Sequence, residues 1–179
     1  MSQPKPPQPA KLIIGVFTND KNLLPPVLES LTRQFGDIDL ISPWIAFDYT
    51  RYYEREMGPD LVRRMMAFKP LIDQNDLSSI KLATNAIEME CAINNLRNIN
   101  IDPGYLLRER FVLATGKNFA HRIYIGNRIY ADLTLIFQKG AFQFLPWTYP
   151  DYKDPQVQTF LYQVRNKYIK DMAELEFKK

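Results

Sequence analysis

The chain contains one cysteine and one histidine. Cys91 therefore has no internal disulfide partner, which fits a reducing compartment. One residue of each kind also excludes a structural zinc site, which needs several such ligands at set spacings. Nowhere does an apolar run approach the roughly 18 residues of a membrane span. The N-terminus lacks the apolar segment of a signal peptide. Together these absences lead to the expectation of a cytoplasmic protein with no membrane attachment. Neither sign of charge dominates: 23 Lys and Arg are interleaved with 20 Asp and Glu, for a net charge of +3. Much of the basic excess is terminal, at Lys178 and Lys179. A dedicated nucleic-acid binder would carry a basic stripe, so nucleic acid is not the first partner to expect.

What is present belongs to a globular protein. The 179 residues are 46% apolar and 13% aromatic, enough for one domain that buries roughly 70% of its unfolded surface. Residues 1–10 (MSQPKPPQPA) are rich in Pro and Gln and read as a disordered or extended tail. Residues 11–179 then read as a single globular domain, with no repeat and no linker. Residues 11–17 are apolar on both faces, as a strand in the middle of a sheet should be. A helix is expected over 25–35, ending at Gly36, then a strand over 38–44. TRYYEREM (50–57) should form a helical turn capped by Thr50 and stopped by Gly58-Pro59. A further helix is expected over 61–68. Asp76 should cap a long helix over 77–94. Its apolar stripe is Leu77, Ile80, Thr84, Ile87 and Cys91, with Lys81, Asn85 and Glu88 beside it.

The second half reads as β-rich. Residues 97–102 alternate, with Ile99 and Ile101 on one face and Asn98, Asn100 and Asp102 on the other. Asp102-Pro103-Gly104-Tyr105 has the composition of a type II turn. Strands are expected over 110–115, 121–125, 128–137 and 141–145, with turns at Gly126-Asn127 and Lys139-Gly140. Asp154-Pro155 should start a last helix, docked through Val157, Phe160, Leu161, Val164, Tyr168, Met172 and Leu175. The expected class is α+β: a mixed, largely antiparallel sheet with a C-terminal meander, packed by helices.

The candidate chemistry follows from this reading. A two-residue loop at Gly126-Asn127 would set His121 directly opposite Asp132, on one face and roughly 4.5–5.5 Å apart at Cβ. A carboxylate beside the only histidine would orient the imidazole as a general base requires. The plain alternative is a polar pair at a sheet rim. A helix lying across the polar face of the 98–102 strand would bring Lys81, Asn85, Glu88, Asn100 and Asp102 together. ATGK (114–117) is not a P-loop, because position 111 is Phe, position 118 is Asn and a hairpin follows. Lys117 could still hold an anion together with Arg122. A carboxylate-rich Mg²⁺ or Mn²⁺ site from Glu88, Asp102, Asp132 and His121 stays open. The clusters Tyr49, Tyr52, Tyr53 and Trp147, Tyr149, Tyr152 read as caps on the core rather than stacking platforms.

Several segments carry a resemblance: YYEREMG (52–58), IKLATNAIEME (80–90), RNINIDPGY (97–105), LATGKNFAHRIYIGNRIYADLTL (113–135) and WTYPDY (147–152). They resemble the signatures of an uncharacterised bacterial family of about 180 residues, catalogued only as a domain of unknown function. The likeness covers nearly the whole chain after the tail. It implies a single domain and supplies no catalytic residues. The functional expectation is a protein that binds or acts on an anionic small molecule, phosphate- or nucleotide-bearing. The alternatives are an accessory protein with an RNA or protein partner, and a homo-oligomeric structural protein. The sequence leaves the oligomeric state open.

Overall fold

The structure, a computed structural model, describes residues 3–94 and 96–177. Lys178 and Lys179, noted above for their charge, lie outside the described residues. The first strand, β1 (Ala10–Thr18), is buried at every position. It begins one residue earlier than expected. The residues before it are tied down too: the carbonyl of Pro9 accepts from the Tyr168 hydroxyl at 2.8 Å, and that of Gln8 accepts from the Gln74 amide at 2.9 Å. After β1 come α1 (Leu24–Phe35), β2 (Ile38–Ile41), β3 (Ile45–Ala46), the single turn α2 (Glu54–Met57) and β4 (Val62–Ile72). Then follow α3 (Leu77–Glu90), β5 (Ile99–Leu106), β6 (Arg110–Thr115), β7 (Arg122–Tyr124), β8 (Tyr130–Gln138), β9 (Ala141–Phe144) and α4 (Pro155–Phe177).

All nine described strands join one sheet, in the order β2-β4-β1-β5-β6-β8-β7, with β3 on β4 and β9 on β8. Every pairing is antiparallel. The N-terminal part has the split β-α-β pattern. Strands β1 and β2 flank β4, β4 and β5 flank β1, and α1 and α3 make the crossovers. In the C-terminal part β6 pairs with β8 rather than with its chain neighbour β7. The two faces are covered by different helices. Leu12, Ile14, Val16, Ile99 and Ile101 pack with Leu24, Val27 and Leu31 of α1, and with Ile80 and Ile87 of α3. Ile13, Met65, Ala67 and Phe111 pack under Val157, Phe160, Leu161, Val164 and Tyr168 of α4. Each large apolar side chain among these, fully buried, contributes roughly 1.5–3 kcal/mol. Among the described residues, no helix is long and apolar enough to cross a membrane.

Several expectations need correction. Neither Thr50 nor Asp76 caps a helix with its side chain: α2 starts after Tyr53, and Asp76 precedes α3 without a capping hydrogen bond. Residues 61–68 form a strand, not a helix. Met65, Met66 and Ala67 favour helix on their own, but here they sit fully buried in a strand between β1 and β2. Pro70 belongs to the same strand, in the stretch where the β1 register slips, so its missing N–H costs no ladder bond. The Asp102–Tyr105 segment is no turn but the middle of β5. α3 stops at Glu90 rather than 94. Leu175 is exposed and takes no part in docking α4. Other signals read true: Gly36 ends α1 at φ 88°, and Asp154 accepts from the Gln156 amide at 2.6 Å to cap α4.

Candidate functional site

The sheet forks between β5 and β6. β5 pairs with β1 along its whole length, but with β6 only at Gly104, Tyr105 and Leu106. β6 pairs with β8 along its whole length, and past Leu113 with β8 alone, Ala114 facing Ala131 and Thr115 facing Tyr130. A glycine and a proline shape the crotch. A Cβ on Gly104 would lie 2.5 Å from the Val112 carbonyl oxygen, so only glycine allows the two strands this approach. Pro103 lies just beyond, where β6 has already left and no strand asks for its amide. A cavity of about 610 Å³ fills the fork.

An open strand edge leaves backbone groups to satisfy. Here α3 does it. Glu88 accepts from the Ile101 amide at 2.6 Å, and the Lys81 ammonium donates to the Ile101 carbonyl at 2.7 Å. α3 therefore does not lie across the polar face of the strand, as expected from the sequence. It packs on the apolar face, against Ile99 and Ile101, and Lys81 and Glu88 reach round the unpaired edge. Lys81 lies 3.8 Å from Glu88 and 3.6 Å from Asp102. Arg97 lies 3.6 Å from Glu88, donates to the Asn100 amide oxygen at 2.9 Å, and forks onto Glu56 at 2.7 and 2.8 Å. Burial pushes the Glu88 carboxyl above its ordinary range, and Lys81 and the Ile101 amide only partly offset it. The hydrogen bonds from Arg97 hold Glu56 below its ordinary range.

Three groups in the cavity have little or nothing to bind. Asn100 is buried, and its Nδ2 has no hydrogen-bond partner among the described residues. Its orientation is set by Arg97, which must meet the amide oxygen. Asp102 accepts no hydrogen bond among the described residues, and of their cations only Lys81 lies within ion-pair distance. Lys117 has no carboxylate within ion-pair distance among the described residues. Its ammonium lies 4.6 Å from the centre of the Tyr52 ring.

The His121–Asp132 pairing arises from a different register than expected. The loop has three residues, Gly126, Asn127 and Arg128, all at positive φ, and closes with the Ile125 amide on the Ile129 carbonyl at 3.0 Å. Arg122, not His121, stands opposite Asp132. His121 reaches the same carboxylate oxygen from one residue outside the strand, at 3.2 Å, beside Arg122 Nε at 2.9 Å. The imidazole stacks on Trp147, centroids 4.7 Å apart. Asp132 lines the cavity; His121 and Arg122 stand behind it. Seven of the nine candidate residues thus border one space: Lys81, Asn85, Glu88, Asn100, Asp102, Lys117 and Asp132. The divalent-metal arrangement does not form. Among the described residues, no three His, Cys, Asp or Glu side chains gather as metal ligands, because Glu88 and Asp102 surround Lys81 while Asp132 faces Arg122.

Sequence reasoning missed several site residues. Arg63 is buried under the cavity, ion-paired with Asp151, donating to the Tyr152 hydroxyl at 2.6 Å and stacked over the Tyr152 ring at 4.4 Å. It holds the 149–152 segment on the sheet. Reading 62–68 as a strand would have turned Arg63 inward, to the same side as Met65. Tyr152 is core, as expected, but Tyr49, Tyr52 and Tyr149 border the cavity with exposed rings.

Fold and site together define an α+β protein with a ligand-sized cavity where an antiparallel sheet divides. The chain belongs to the family described as Domain of unknown function (DUF4416), whose model matches residues 8–168. No curated protein and no solved structure matches it.

Proposed function

We propose that this protein binds an anionic small molecule in the forked cavity. One observation carries the reading. Among the described residues, a single space of about 610 Å³ holds a cation without a carboxylate (Lys117), a carboxylate without a hydrogen bond (Asp102) and a buried donor without a partner (Asn100). A buried polar group is normally paired, as Asn100 Nδ2 is not, and the cation and carboxylate beside it in the same cleft fit a charged ligand. Lys117 takes the anionic group. Asp102 and Asn100 take hydrogen-bond donors and acceptors on its body. In this reading Asp132 presents its carboxylate to the ligand, and His121 and Arg122 hold that carboxylate in place from behind. A convergent cavity favours a small molecule over an RNA or protein surface. A cytoplasmic location is part of the same reading, supported by the single cysteine.

The test is a thermal-shift screen with inorganic phosphate, sugar phosphates and nucleotides, on wild type and Lys117→Ala. A ligand at 100 times its Kd stabilises by about 2.7 kcal/mol, which at this chain length raises Tm by roughly 5–11 °C. Lys117 is exposed, so its removal should leave the unliganded Tm in place and weaken the shift. The reading fails when no anion raises Tm, or when Lys117→Ala responds as wild type does.

A further inference from the structure

We infer that the ligand is a nucleotide, with its base against the tyrosines at the cavity mouth and its phosphate at Lys117. This rests on the anion-binding reading above. The mouth is ringed by Tyr49, Tyr52 and Tyr149, whose exposures are 37%, 63% and 43%. Exposed aromatic rings usually move freely. These three are each held at the hydroxyl by a charged side chain from elsewhere in the chain. Tyr49 donates to Asp154 at 2.5 Å, Lys117 lies 3.3 Å from the Tyr52 oxygen, and Arg122 donates to the Tyr149 oxygen at 2.6 Å. Holding the polar tips leaves apolar ring surface fixed at one opening, at little further entropic cost on binding. A flat heterocycle is the ligand body that uses such surface, through stacking.

The floor gives a second, independent reason. Asn100 and Asp102 are two residues apart on one strand, so they share a face. One offers a free donor and the other a free acceptor. Nucleobase edges present acceptors and donors side by side. The sugar phosphates share the phosphate but have no flat apolar face for the tyrosines. The volume, about 610 Å³, lies within the range of pockets for ligands of this size.

The experiment is calorimetric titration of the full chain with the four common nucleoside 5′-monophosphates, ribose 5-phosphate and inorganic phosphate. Wild type, Tyr52→Ala and Tyr52→Phe are compared. Tyr52 is the most exposed of the three rings, so neither substitution should disturb folding, which circular dichroism checks. The expected result is that at least one nucleotide binds at least tenfold tighter than ribose 5-phosphate. Tyr52→Ala should weaken that nucleotide roughly 5- to 150-fold and ribose 5-phosphate by a much smaller factor, the part that comes from loosening Lys117. Tyr52→Phe keeps the ring but loses its tie to Lys117, so it should bind that nucleotide more weakly than wild type and more tightly than Tyr52→Ala. If ribose 5-phosphate binds as tightly as every nucleotide, or if Tyr52→Ala weakens both alike, the nucleotide inference is overturned and the anion-binding reading stands. If no compound binds, the anion-binding reading falls, and this inference with it.

Discussion

Replacing Glu88 with alanine tests how the fork is held. The Glu88 carboxylate is the hydrogen-bond acceptor for the Ile101 amide, at 2.6 Å, and a neighbour of both Lys81 and Arg97. Glu88→Ala leaves the Ile101 N–H buried and unpaired, which costs about 1–3 kcal/mol. It also leaves the buried Lys81 ammonium with only Asp102 at 3.6 Å and one carbonyl. Removing one partner of a buried pair costs about 3–5 kcal/mol, but Asp102 and the Ile101 carbonyl soften the loss here. The total should be about 3 kcal/mol. Glu88→Gln keeps an oxygen for the Ile101 amide and loses only the charge, so it should cost about 1 kcal/mol. Urea unfolding followed by tryptophan fluorescence measures both, with equal slopes showing that only stability has changed. A difference between the two variants below about 0.5 kcal/mol would refute the claim that Glu88 replaces a missing strand partner.

Acid sensitivity follows from Glu56. Its carboxyl is held below its ordinary value of 4.5 by Arg97, so its contribution is present at neutral pH and is lost as pH falls below that value; Glu56→Gln should flatten the acid limb of a stability-versus-pH curve. Glu88 acts in the opposite sense, since burial raises its carboxyl above 4.5: its contribution is greatest in acid and declines as pH rises through and beyond that value, a slope that Glu88→Gln should remove. Gly104→Ala would place its Cβ 2.5 Å from the Val112 oxygen and should destabilise by about 1–3 kcal/mol in the same urea assay; a neutral result would mean that the strands can part without cost.

The parts of the fold that were legible in the sequence are those where local chemistry and tertiary packing agree. β1 is apolar on both faces because it lies between helices on both sides of the sheet. α1 ends where Gly36 can adopt positive φ, and α4 begins where Asp154 can cap and Pro155 can occupy the first turn. The failures share a cause: a local signal outvoted by strand pairing. The helix-favouring run at 65–67 became a strand because β1 and β2 offered it a place on both sides. The Pro-Gly pair at 103–104 looked like a turn because proline seldom sits in a paired strand, and nothing local announces that the neighbouring strand stops there. The loop at 126–128 is one residue longer than its Gly-Asn signal suggests, which moved Arg122 opposite Asp132. The site was legible in its membership more than in its geometry. The polar residues of 81–88 and 98–102 do meet, but by reaching round a strand edge that no periodicity reveals. The tyrosines at the mouth stood out in the sequence but read as core caps, because their exposure depends on which side chain tethers each hydroxyl.

An unpaired edge inside a sheet is also a hazard. Exposed ladder groups are a template on which a segment of another chain can add as an extra strand, the first step of edge-to-edge aggregation. Natural sheets blunt such edges with charge, and the fork does so from within: Lys81 and Glu88 occupy both the donor and the acceptor of Ile101, while Pro103 offers no donor at all. The same pair that opens room for a ligand thus keeps an intruding strand out, so substitutions that free the Ile101 backbone should raise the tendency to self-associate as well as lower stability.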